Sequence, residues 1–136
     1  MATILVYWTG TGNTEALAFS IADGVKQGGG ACEVVKVSDA DLQKTAAYDK
    51  IILGCPAMGA EELENTEFEP FYSALEPLLK GKTVGLFGSY DWGDGEWMRL
   101  WQKRAEDAGV SVLDTLIVQS AESGADETIA FGKKFA

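Results

Sequence analysis

The sequence predicts an α/β protein built on a doubly wound parallel sheet, and three observations carry that prediction. Strand and helix signals alternate along the whole chain, the pattern of parallel architectures. The third strand, Lys50–Gly54, is nearly all apolar and therefore buried on both faces. Between the first strand and first helix lies Thr9-Gly10-Thr11-Gly12-Asn13-Thr14, a glycine- and hydroxyl-rich turn feeding a helix N-terminus.

Each element follows in order. Thr3–Trp8 is β-branched and aromatic, the composition of a buried strand. Leu17, Ala18, Ile21 and Val25 fall at helical spacing within a helix over Asn13–Lys26, which Gly28-Gly29-Gly30 ends. Glu33–Val37 forms the second strand, and the acidic stretch Ser38–Ala47 reads as loop. After Lys50–Gly54, the residues Phe68, Phe71, Tyr72, Leu75, Leu78 and Leu79 mark one helix face. Lys82–Phe87 is the fourth strand. Trp97, Trp101, Arg104, Ala105 and Ala108 mark the next helix, closed by Gly109. Val110–Val112 and Leu116–Val118 share a fifth strand that Leu113-Asp114-Thr115 interrupts, and the last helix spans about Asp126–Phe135.

The turn Thr9–Thr14 presents unpaired backbone N–H groups and the positive end of a helix dipole, which suits an anion and above all phosphate. No lysine or arginine lies between Thr3 and Gly24, so a nucleoside-triphosphate loop with its Gly-Lys-Ser/Thr is excluded. Glu15 stands where a dinucleotide fingerprint needs its third glycine. What remains is a small terminal phosphate held by neutral donors: the hydroxyls of Thr9, Thr11 and Thr14, the Asn13 amide and backbone N–H groups. A well-capped helix without ligand is the plain alternative, but Thr9–Thr14 is longer than a cap needs.

Composition narrows the function classes. At 136 residues the chain is expected to form a single domain, 1–136, with a proper core. It carries no apolar run of transmembrane length and no leader-like N-terminus, so a soluble cytoplasmic protein is expected. There is no histidine, which excludes His-based acid–base or triad chemistry, and Cys32 and Cys55 have no zinc or redox spacing. Both cysteines read as small buried apolar residues. A formal net charge of −10 disfavours nucleic acid and anionic membranes and favours a positively charged partner.

Three loops leave carboxyl ends of strands and are expected to gather at one rim of the sheet: Thr9–Thr14, Pro56–Glu62 and Ser89–Glu96. Pro56-Ala57-Met58-Gly59-Ala60-Glu61-Glu62 joins a flexible thioether, a glycine and carboxylates. Ser89-Tyr90-Asp91-Trp92-Gly93-Asp94-Gly95 sets an indole in a glycine-rich loop. Met58 and Trp92 can sandwich a flat ring, each contact being worth roughly 1 kcal/mol. Alone, Met58 reads more readily as a gap-filler and Trp92 as a surface aromatic; together with the Thr9–Thr14 loop they do not.

The chain resembles the short-chain flavodoxins of anaerobic bacteria over essentially its whole length. The most specific pieces are Tyr7-Trp8-Thr9-Gly10-Thr11-Gly12-Asn13-Thr14, Leu53-Gly54-Cys55-Pro56-Ala57-Met58-Gly59 and Phe87-Gly88-Ser89-Tyr90, followed by Trp92-Gly93 and Gly95-Glu96-Trp97-Met98. The fifth strand lacks the long insertion of long-chain members. The resemblance implies strand order 2-1-3-4-5, helices on both faces and FMN at the point where strand order reverses. Thr9–Thr14 would hold its phosphate, and Pro56 and Ala57 would approach the ribityl chain. Met58 and Trp92 would flank the ring system, and Glu61 would accept from flavin N3–H. Backbone of the Ser89–Gly93 loop near Tyr90 and Asp91 would face the O2 edge, and Gln119 would lie nearby. The Gly59–Ala60 peptide would turn to meet N5 after one electron arrives, a turn that needs glycine's freedom.

The function implied is a low-potential one-electron carrier shuttling between semiquinone and hydroquinone, able to replace ferredoxin, and not an enzyme with its own substrate. FMN supplies the redox chemistry and the protein sets its potentials. Glu61, Glu62, Glu64, Glu67, Glu69, Asp91, Asp94 and Glu96 are expected at the rim, where each 1.4 kcal/mol of repulsion lowers a one-electron potential by about 59 mV. The same acids favour redox partners with basic docking surfaces, such as reductases, hydrogenase or pyruvate:ferredoxin oxidoreductase, met by a monomer. Asp91 replaces the family's usual glycine and Ala60 a common polar residue. The competing reading is a flavodoxin-like NAD(P)H:quinone oxidoreductase, which needs an open ring face that Met58 and Trp92 would cover. A receiver-type signalling domain needs acids after the first strand, where this chain has Tyr7 and Trp8.

Overall fold

A computed structural model describes residues 2–10, 12–57, 63–90, 95–119 and 125–136 of the chain. Strands and helices alternate as β1 (Ala2–Tyr7), α1 (Asn13–Gln27), β2 (Ala31–Lys36), α2 (Leu42–Ala46), β3 (Lys50–Gly54), α3 (Phe68–Leu75), β4 (Thr83–Tyr90), α4 (Glu96–Asp107), β5 (Ser111–Gln119) and α5 (Ala125–Lys133). The strands pair in parallel in the order β2-β1-β3-β4-β5, the predicted order.

Period-2 alternation within β1 explains how the sheet is covered on both sides. Leu5 and Tyr7 join Leu17, Ala18, Ile21 and Val25 of α1 and Phe131 of α5 in one core layer, with Phe135 just beyond. Ile4 and Val6 face the other layer, with Phe68, Tyr72 and Leu75 of α3 and Trp97, Trp101 and Ala105 of α4. The helices therefore divide, α1 and α5 on one face and α2, α3 and α4 on the other. Phe68 and Tyr72 both meet Trp101 edge to face, with ring centroids 5.5 and 5.7 Å apart.

Five expectations are corrected. Ser38–Ala47 is not simply loop: a 3-10 turn, Val37–Asp39, precedes α2. Asp41 starts α2 by accepting the Lys44 N–H at 2.8 Å, a single short turn that offers no periodicity to detect. β4 continues past Phe87 to Tyr90. β5 is continuous through Leu113-Asp114-Thr115, which instead hold a bulge: Val84 pairs with Val112 and Gly85 with Asp114, skipping Leu113. Finally, Leu78 lies in a 3-10 turn after α3 and is 38% exposed, off the buried face that Leu75 and Leu79 share. Cys55 is fully buried as expected, whereas Cys32 is only partly so.

Candidate functional site

The C-terminal ends of β1, β3 and β4 meet at one rim. The Trp8 N–H donates to Gly54 O at 3.0 Å, the Cys55 N–H to Phe87 O at 3.1 Å, and the Ala57 N–H to Ser89 O at 3.1 Å. Strand order reverses here, because the chain leaves β1 for β2 on one flank and returns to β3 on the other. The predicted convergence of Thr9–Thr14, Pro56–Glu62 and Ser89–Glu96 holds for their described residues.

The start of α1 is open. Gly12 is its N-cap at φ 94°, and among the described residues no side chain caps the first turn. A left-handed N-cap favours glycine, and a Cβ there would meet nothing within 4 Å. The Gly12 N–H donates to Thr9 Oγ1 at 3.0 Å, and Gly12 O accepts from the Ala16 N–H. The N–H groups of Asn13, Thr14 and Glu15 have no carbonyl behind them in the helix. Together with the dipole they form a neutral-donor anion cradle.

Supporting contacts fix this turn. Thr14 is buried, and its hydroxyl lies 2.9 Å from the Ser89 hydroxyl at the end of β4. The Tyr7 hydroxyl donates to Glu15 Oε2 at 2.7 Å, occupying the one carboxylate in the first helical turn. Burial, and then that carboxylate, push the Tyr7 pKa up to about 12. The Trp8 ring lies under Gly10, where a Cβ would come within 3.0 Å of it, and its Nε1–H donates to Glu67 at 3.2 Å. A cleft of about 200 Å³ opens between Trp8, Thr9, Lys36 and Glu67, on the β2 flank of the rim.

The other predicted residues fall as follows. Pro56 and Ala57 are half-buried at the end of β3. Tyr90 pairs in register with exposed Gln119, and its ring tilts against Trp97 at 5.8 Å. Thr11, Met58, Gly59, Ala60, Glu61, Asp91, Trp92 and Gly93 lie outside the described residues, as do Glu62 and Asp94.

Sequence reasoning missed several residues that build the rim. Trp97 donates its Nε1–H to Cys55 O at 3.2 Å. Gly88 lets β4 approach that carbonyl, since a Cβ there would lie 2.1 Å from it. The rim acids also divide in a way the sequence does not announce. Glu64 is turned inward and only 5% exposed. Burial by itself would raise its pKa, but hydrogen bonds from the Thr66 side chain and from the Phe68, Glu67 and Thr66 N–H groups bring it to about 2. Glu69 is held by Arg104 through two bonds of 2.6 and 2.7 Å, which lower its pKa. Glu67 and Glu96 remain exposed at the rim. A carboxylate a few residues ahead of a helix was the available signal for Glu64, but the acidic run around it concealed it.

Fold and site together define a doubly wound α/β protein with an uncapped, neutral-donor helix N-terminus at its topological switch point. That donor set fits the terminal phosphate of FMN, because helix N–H groups and hydroxyls need no added cation to bind it. The flavodoxin family model matches residues 5–132. A flavodoxin of Megasphaera elsdenii is 51% identical over 129 residues, covering 95% of this chain and 94% of its own. One of Clostridium beijerinckii is 47% identical over 134 residues, covering 97% of each. The solution structure of two-electron reduced Megasphaera elsdenii flavodoxin superposes with a TM-score of 0.87 over the whole of both chains at 47% identity.

The chain belongs to the flavodoxin family. Flavodoxins are FMN-binding electron carriers, electron-transfer flavoproteins rather than enzymes acting on a substrate of their own, and the short-chain type fits. Among the described residues no helix is long and apolar enough to cross a membrane.

Proposed function

We propose that this chain is a low-potential one-electron carrier whose FMN sits at the β1/β3 switch point. The open N-terminus of α1 carries this reading: it supplies N–H groups and hydroxyls, while the Thr9–Thr14 loop has no cationic side chain. FMN supplies the redox chemistry, and the protein holds it and sets its potentials. Thr9, Gly10, Thr11, Gly12, Asn13 and Thr14 bind the phosphate, with Ser89 holding Thr14 in place. Pro56 and Ala57 serve the ribityl chain, and Met58 and Trp92 exclude water from the two ring faces. Gly59, Ala60 and Glu61 serve the polar ring edge from one side, and Tyr90, Asp91 and Gly93 serve it from the other, with Gln119 nearby.

The acidic surface sets both the potential and the partners. A net charge of −10 disfavours adding negative charge to the bound group. The same field attracts redox proteins with basic docking surfaces, such as reductases, hydrogenase or pyruvate:ferredoxin oxidoreductase. Residues 1–136 act as one FMN-binding domain, as a cytoplasmic monomer.

Steady-state NADPH oxidation by the FMN-loaded protein tests the carrier reading against the quinone-reductase one. The carrier turns over negligibly until a separate reductase is added, and added salt then slows transfer. Rapid NADPH oxidation with quinone alone would reject it.

A further inference from the structure

We propose that Lys36 is a specificity-determining residue for the cofactor: a cation beside the open start of α1 that favours a flavin carrying a phosphate over one without it. The inference rests on the reading that the N-terminus of α1 takes the FMN phosphate.

Sheet register places Lys36 at this spot. It closes β2 and pairs with Tyr7, the last residue of β1, from which the chain continues through Trp8 to Thr9. Lys36 and Thr9 line one cleft of about 200 Å³, together with Trp8 and Glu67. Thr9 Oγ1 in turn accepts the N–H of Gly12, the N-cap of α1, at 3.0 Å. The cleft wall and the phosphate cradle therefore share a residue.

Charges around the cleft are unequally committed. The Glu67 carboxylate accepts from Trp8 Nε1–H at 3.2 Å, and the Glu15 carboxylate from the Tyr7 hydroxyl at 2.7 Å. Asp39, exposed in the turn after β2, adds to the negative potential at Tyr7. Lys36 is exposed, and among the described residues its ammonium has no ion pair or hydrogen bond. Lys44, by contrast, is held by Glu33 at 3.1 Å. Other lysines belong to the opposite edge of the sheet: Lys50 opens β3, Lys82 precedes β4, and Lys26 and Lys133 lie in the last turns of α1 and α5. The carboxylates nearest the cradle are thus restrained by aromatic donors, which leaves the Lys36 charge uncommitted. A lysine on a flexible stem acts as a point charge without a fixed contact, and a phosphate gains most from it. The neutral cradle binds; Lys36 adds preference.

FMN and riboflavin differ only in the phosphate, so their affinities isolate the effect. Both are titrated by flavin fluorescence into the apoprotein at low and high ionic strength, for the unaltered chain, Lys36→Gln, Lys36→Arg and Lys26→Gln. Lys36→Gln should weaken FMN binding roughly two- to fivefold at low salt, the range of an exposed ion pair. Riboflavin binding should stay unchanged, and the FMN difference should shrink as salt is raised. Lys36→Arg should keep the affinity for FMN, and Lys26→Gln, which removes the same charge at the far end of α1, should lose less than Lys36→Gln. Equal losses for both flavins would make Lys36 merely structural and overturn the proposal. Equal losses of FMN affinity in Lys36→Gln and Lys26→Gln would assign the effect to net charge and overturn it too. If the unaltered protein binds riboflavin as tightly as FMN, the phosphate reading fails and takes the proposal with it. A preference for FMN that Lys36→Gln leaves intact rejects the proposal alone.

Discussion

The hydroxyls of Thr14 and Ser89 lie 2.9 Å apart in the buried floor of the site, although 75 positions separate them in sequence. This bond ties the first turn of α1 to the end of β4, so the loops proposed for phosphate and for ring share one anchor. Ser89→Ala leaves the buried Thr14 hydroxyl without that partner. Urea denaturation should show a loss of about 1–2 kcal/mol, and FMN titration a weaker Kd.

The Tyr7–Glu15 bond restrains a negative charge in the turn proposed to bind phosphate. Tyr7→Phe removes the donor, and a hydrogen bond to a charged group is worth about 1.5–3 kcal/mol. FMN affinity should fall more than riboflavin affinity, because only FMN brings a phosphate to the freed carboxylate. Equal losses for both ligands would show that Glu15 does not sense the phosphate.

At Gly88 the obstacle is backbone rather than conformation. An added Cβ would sit 2.1 Å from the Cys55 carbonyl and 3.0 Å from the Trp97 ring. Gly88→Ala should therefore cost about 1–3 kcal/mol, the range for overpacking. Gly12→Ala should cost about 1–2 kcal/mol for its left-handed backbone alone, since the space there is open. Thermal denaturation of the two apoproteins compares them without ligand.

Acid should weaken the fold in a defined window. The Glu64 carboxyl has an ordinary pKa of 4.5 when unfolded and about 2 when folded, so between those values the unfolded chain binds more protons. Stability therefore rises with pH through this range, and falls as pH drops from about 5 towards about 2. Glu69, lowered by Arg104, adds a contribution of the same sign. Denaturation midpoints measured over a pH series should show this slope, and Glu64→Gln should flatten it.

Period and composition made the sheet, the main helices and the loop before α1 legible in the sequence. Ile4 and Leu5 announce a strand buried on both faces, and Leu17, Ile21 and Val25 announce a helix. Five-residue α2 is too short to show a period, and the Leu113 bulge depends on its pairing with β4, which local sequence does not encode. Leu78 carries the right residue type but falls in a 3-10 turn, where helical spacing no longer predicts facing. Within the site, Thr9, Gly12 and Thr14 were legible as a turn and cap. The Thr14–Ser89 and Trp97–Cys55 bonds were not, because each joins residues distant in sequence. Glu64 was visible as an acid, but its inward orientation depends on N–H groups that α3 exposes only once folded.

Anaerobic titration of the FMN-loaded protein with a one-electron reductant, followed by absorbance, tests the central claim most directly. A one-electron carrier gives two separate one-electron steps, the second at markedly lower potential. A single two-electron step would contradict the account and bring the quinone-reductase reading forward.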